Sequence, residues 1–212
     1  MPNRREFIHT GLAVSALTAS YLHGPVALAR PANPTTKPSA SLFKVIYDRS
    51  FDAGRSFGAE AARRGAPVQA TGSDIGSVWM NVIEPELETR PAAIAGLTAG
   101  APLFCLELLA SDYGMRLVYR IEHRPIDGDR YRHSVTGHTA LSSWADELAA
   151  AGTQWSASAA GLALTHPEGL RPLTDISLLD LAEQAKGAGQ PLYSWLIEPA
   201  ARAVRGDARI QT

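Results

Sequence analysis

Between residues 42 and 124, four short apolar runs alternate with three stretches of helical periodicity, and the connections joining them are short. That order constrains the fold more than any other feature of the chain. Strands and helices that follow one another so closely pack most readily as crossover units, in which the strands lie parallel. Residues 42–47 (LFKVIY) predict a first strand that stops at Asp48-Arg49-Ser50. Residues 51–64 place Phe57, Ala61 and Ala62 at nearly helical spacing, and Gly65 supplies a C-terminal stop. Residues 66–71 predict a second strand. Residues 75–87 put Val78, Trp79, Val82 and Ile83 on one helical stripe, expected to break at Pro85. The small, apolar residues 92–98 suit a third strand covered on both faces. Gly100 and Pro102 open an apolar helix over residues 103–113, closed by Gly114, and residues 116–124 alternate as a fourth strand. The expected fold is α/β, a Rossmann-like doubly wound, mostly parallel sheet. The alternative is an α+β arrangement with a more antiparallel sheet.

After the fourth strand the chain is expected to turn at residues 125–129 and return over 130–136 as a hairpin. Leu117, Tyr119, Ile121 and His123 share one face of the outgoing strand, and Tyr131, His133 and Val135 share one face of the returning strand. Opposed residues lie on the same face, so the two sets coincide only if the loop holds an odd number of residues. A three-residue loop at 127–129 sets His123 opposite His133 and Ile121 opposite Val135. Alanine-rich helices are expected at 139–151 and 155–164, a loop at 166–169, and a further helix at 176–185. Residues 191–197 are expected as a last edge segment or a docked arm.

The N-terminal residues carry Arg4, Arg5, Phe7 and Ile8, then a mildly apolar run, then Ala27-Leu28-Ala29. This resembles the twin-arginine export signal, with Asn3 where a hydroxyl residue is usual and His9 where lysine is common. The run is too short for the roughly 20 residues a bilayer span needs. Ala27 and Ala29 occupy the two positions a signal peptidase reads. The resemblance implies passage through the twin-arginine translocon, cleavage after Ala29, a periplasmic address and no membrane span in the mature chain. It also implies a folded cargo, which can carry a cofactor, fold fast, or travel with a partner. The expected organisation is a signal at 1–29, a Pro-rich linker at 30–40, one α/β domain at 41–200 and a polar tail at 201–212.

Losing Arg4, Arg5 and Glu6 from 20 basic and 21 acidic residues leaves 18 and 20. That near-neutrality argues against a nucleic-acid or anionic-membrane surface. Cys105 is the single cysteine, which excludes an internal disulfide, covalent haem attachment and cysteine-ligated iron–sulfur clusters. In its apolar helix it is expected to pack as a small hydrophobe.

Ligands of open parallel sheets bind beyond the carboxyl ends of the strands, where helix amino termini present free amides. Asp48, Ser50 and Thr98 are the candidate catalytic residues there; helix capping is the competing role for the first two. Gly96-Leu97-Thr98-Ala99-Gly100 has the outline of the α/β-hydrolase nucleophile elbow, with Thr98 in place of serine. Its partners would be Asp127 or Asp146 and then His138 or His166. A tight glycine turn that lets the helix approach the sheet is the competing reading. His123, His133 and His138 are candidate ligands for zinc or copper, against a pair of half-buried, hydrogen-bonded histidines and no bound cofactor. On the other hairpin face Arg124 stands across from Arg132 near Arg120, with Glu122 between, an arrangement that faces water or meets an anion; solvation is expected. The functional expectation is a non-catalytic accessory subunit or ligand-binding module associated with an exported redox enzyme, with a protein partner in the periplasm. The alternative is a small hydrolase-type or metal-dependent enzyme at the carboxyl edge of the sheet.

Overall fold

A computed structural model describes residues 42–72, 74–167, 170–173 and 189–200. The signal, the linker, the 176–185 helix and the polar tail lie outside the described residues. The fold is α/β. Strands β1 (Lys44–Asp48), β2 (Val68–Thr71), β3 (Ile94–Ala99), β4 (Met115–Asp127), β5 (Arg130–Thr136) and β6 (Leu192–Pro199) form one mixed sheet in the order β2-β1-β3-β6-β4-β5. The β2-β1-β3 end is parallel, whereas β6 runs antiparallel to both β3 and β4. This corrects the mostly parallel sheet, and it corrects the edge or docked arm expected at 191–197. From Leu192 to Ile197 every residue of β6 is buried, which suits a strand with neighbours on both sides and cover on both faces.

The helices are α1 (Asp52–Arg63), α2 (Gly76–Val78), α3 (Glu84–Thr89), α4 (Gly100–Asp112), α5 (Trp144–Ala150) and α6 (Trp155–Leu164). Gly65 and Gly114 take φ of +84° and +69° just beyond α1 and α4, the left-handed turn that ends a helix cheaply only at glycine. Pro85 does not break its helix. A π turn at Trp79–Ile83 lies just before it, and α3 opens with Pro85 in its first turn, where a missing N–H costs little. The stretch expected as one helix at 139–151 divides into a 3-10 turn (Thr139–Leu141) and α5.

Alternation along the strands sorts the core into two clusters. Val45, Ala95, Leu97, Tyr119, Ile121 and Leu196 pack with α1, α5 and α6. Ile46, Ile94, Tyr193, Trp195 and Ile197 pack with the α2–α3 segment and α4, with Cys105 half-buried against them. Leu117 belongs to the second cluster, not beside Tyr119 as expected, because the β4–β6 register slips between Leu117 and Tyr119. Among the described residues no helix is long and apolar enough to cross a membrane.

Candidate functional site

One row of polar side chains crosses the sheet near the carboxyl ends of its parallel strands. Thr71 pairs with Asp48, Tyr193 with Thr98, and Glu122 with both Tyr193 and Ser134. Asp48 and Thr98 each follow the paired residues Tyr47 and Leu97, which brings them to the same level. The sheet therefore brings Asp48 and Thr98 to one level, each buried and hydrogen-bonded within the fold. Asp48 is 3% exposed, and its Oδ1 accepts from the Ser50 amide at 2.9 Å. Thr98 is fully buried, and its hydroxyl accepts from Trp195 Nε1 at 3.1 Å. Thr98 itself lies within β3 and Ala99 after it is still extended, so Thr98 does not stand on a sharp strand-to-helix turn. A Cβ at Gly96 would run into the Ile46 carbonyl and the Trp195 ring, so the glycine admits a neighbouring strand's indole, not a helix.

Arg120 overturns the expectation of solvation on this face. It is 7% exposed, lies 5.8 Å from the Tyr193 ring centre, and its Nη1 has no hydrogen-bond partner among the described residues. Glu107 Oε1 on α4 likewise has no partner among the described residues; burial raises its carboxyl to about 7 against the opposing pull of Arg120. Arg124 does stand opposite Arg132, with Glu122 bridged to Arg124 at 2.5 Å.

The first face carries the histidines. His123 pairs with His133 and Ile121 with Val135, the register expected from parity. The turn that sets it differs. Gly128-Asp129 forms a two-residue tip, and a bulge at Ile126 supplies the odd residue; Ile126 is correspondingly 49% exposed. His123 is fully buried, with Nδ1 2.8 Å from His133 Nδ1 and Nε2 2.8 Å from Ser194 Oγ. Two facing Nδ1 atoms need one donor and one acceptor, so a neutral pair fits and a doubly protonated one does not. Burial and the neighbouring imidazole hold His123 well below the ordinary imidazole range, and burial lowers His133 to about 4. Trp155 at the start of α6 stacks on His123 at 4.2 Å.

His138 stands apart from this pair. Its Nδ1 accepts from the Ala140 amide at the start of the 3-10 turn. Among the described residues no three His, Cys, Asp or Glu side chains gather closely enough to hold a metal ion. His166 is buried, with Nε2 2.9 Å from Glu198 Oε1 and Nδ1 2.9 Å from the Ala163 carbonyl, which fastens the end of α6 to β6. Asp127 is paired with Arg130 in the hairpin. The contiguous Ser194–His123–His133 chain has the connectivity of a nucleophile, a base and an orienting group. With Ser194 and His123 both buried, it is closed to a substrate.

What is open lies directly above it. Two adjoining hollows of about 280 and 270 Å³ share Asp129, Tyr131 and Thr153. The first is completed by Trp155, Ser156 and the first turns of α1, Asp52 to Ser56; the second by His133, Ile126 and Gly152 among others. Tyr131 and Trp155 stand 4.9 Å apart at 46°, and His133 lies 5.5 Å from Trp155. The groove was not legible beforehand, because it joins a helix start, a hairpin tip and a second helix start distant in sequence. The one available signal was the aromatic spacing Tyr131, His133, Trp155. No protein-family model, curated protein or solved structure matches this chain.

Proposed function

We propose that this protein is a non-catalytic, exported ligand-binding module that takes a small molecule in the groove between the β4–β5 hairpin and the first turns of α1 and α6. The groove itself carries the reading: two adjoining hollows, aromatic side chains at their junction, and hydroxyls and carboxylates placed to orient a guest. Of the two non-catalytic roles, ligand binding is favoured over escort of a redox enzyme because it accounts for this concavity. Arg4, Arg5, Phe7, Ala27 and Ala29 support delivery to the periplasm through the twin-arginine translocon. The crossovers from β1 to β2 on one side and on to β3 on the other support reading the parallel half as a Rossmann-like, doubly wound unit. Native mass spectrometry of the mature protein taken from the periplasm tests the proposal. A small-molecule adduct that disappears in Tyr131→Ala is expected; adducts unaffected by that change would refute it.

The Ser194–His123–His133 chain favours a second reading, a hydrolase. A fluorophosphonate probe separates the two, since an activated, reachable serine is labelled. We expect no label on Ser194, whose burial shuts out the probe.

A further inference from the structure

We propose that the guest of this groove is a small organic cation, an amine or quaternary ammonium, held between the Tyr131–Trp155 corner and the carboxylate of Asp129. This rests on the ligand-binding reading above and adds the chemical class. The first hollow is lined by two carboxylates, Asp52 and Asp129, two aromatic rings and the hydroxyls of Ser56, Thr153 and Ser156, with no basic side chain among its lining. Asp52 is already matched by Arg55. Asp129 makes no ion pair among the described residues.

Two helix amino termini border the hollow, and each carries about half a positive charge. With Arg55 on Asp52 they bring the hollow close to neutral overall, so its preference for charge rests on Asp129, the lining carboxylate without an ion pair among the described residues. The aromatic corner then discriminates between a cation and a neutral guest. A cation within about 6 Å of a tryptophan or tyrosine face is attracted by the ring quadrupole, more strongly when desolvated. Trp155 is only 3% exposed and one side of it is taken by the stacked imidazole of His123, so the half-buried Tyr131 ring presents the more open face. Burial holds that imidazole and His133 neutral near pH 7, so the indole is not backed by a competing positive charge. Ser156 is only 3% exposed yet lines the hollow, and with Thr153 it offers hydroxyl acceptors to an N–H donor. A volume of about 280 Å³ suits a guest of a few carbons.

Choline and its uncharged isostere 3,3-dimethylbutan-1-ol are the probes, titrated calorimetrically into the intact mature protein beside glycerol and acetate. Choline is expected to bind at least about tenfold more tightly than the isostere, because the two differ only in charge. Asp129→Asn should remove about tenfold of choline affinity without changing the melting temperature, since Asp129 is exposed. Equal binding of choline and the isostere, lost in Trp155→Phe or Tyr131→Ala, would overturn the cation while leaving the groove a binding site. Acetate binding more tightly than choline would overturn it likewise. Binding that survives both aromatic substitutions would overturn the groove as well.

Discussion

His133 and Glu107 are both shifted by burial, in opposite directions, and the two shifts divide the pH dependence of stability. Folded His133 sits near 4 against an ordinary 6.5, so the unfolded chain binds more protons between these values. Its contribution is complete above pH 6.5 and is lost as the pH falls towards 4. His133→Gln retains a partner for His123 and removes this titration. Urea midpoints of the variant should therefore change less between pH 6.5 and 4.5 than those of the parent. Folded Glu107 sits near 7 against an ordinary 4.5, so its contribution is complete below pH 4.5 and is lost as the pH rises through 7. Glu107→Gln should gain on the parent over that window, by about 1 kcal/mol once solvent screening of a partly exposed carboxyl is allowed for. A constant difference between pH 4.5 and 7.5 would mean that Glu107 titrates normally.

At the scale of elements, the hairpin and β6 show what local pattern can and cannot specify. The pairing of His123 with His133 was readable because side chains alternate with a period of two, so only an odd insertion lets both faces match. Parity could not say whether the odd residue sat in the loop or in a bulge. Deleting Ile126 should leave a regular ladder with Asp127 still opposite Arg130 and His123 opposite His133. Deleting Asp129 leaves the same number of residues between Pro125 and Tyr131, so Asp127-Gly128 should become the tip with Ile126 opposite Arg130 and His123 still opposite His133. Cross-strand nuclear Overhauser effects between the two imidazoles, kept in both deletions, are the expected result; their loss when Ile126 is removed would contradict the bulge. The place of β6 was not readable, since residues 192–197 pair with β3 and β4 nearly a hundred and about seventy residues upstream. An apolar run carries no mark of its neighbours. Trp195 fills the space that Gly96 leaves in β3, so Trp195→Ala should cost about 3–5 kcal/mol in urea unfolding, a core loss not expected at a docked arm.

For the whole molecule, the sheet divides the polar groups into two sets with different fates. On the second face, Asp48 and Thr98 are absorbed into a turn and a strand contact, and Arg120 is sealed beneath α4. On the first, the buried histidine chain rises into a groove whose walls come from α1, the hairpin and α6. The strand-end polar residues Asp48 and Thr98 are hydrogen-bonded within the fold, whereas the opening is shaped by helix starts and the hairpin tip, which no local pattern links in sequence. Amide shift mapping by nitrogen–proton correlation spectroscopy, during titration of the mature protein with a mixed small-molecule library, tests this division most directly. Shifts concentrated at residues 52–56, 126–133 and 152–156 are the predicted result. Shifts centred instead on residues 48–50, 71–74 and 98–100 would contradict it.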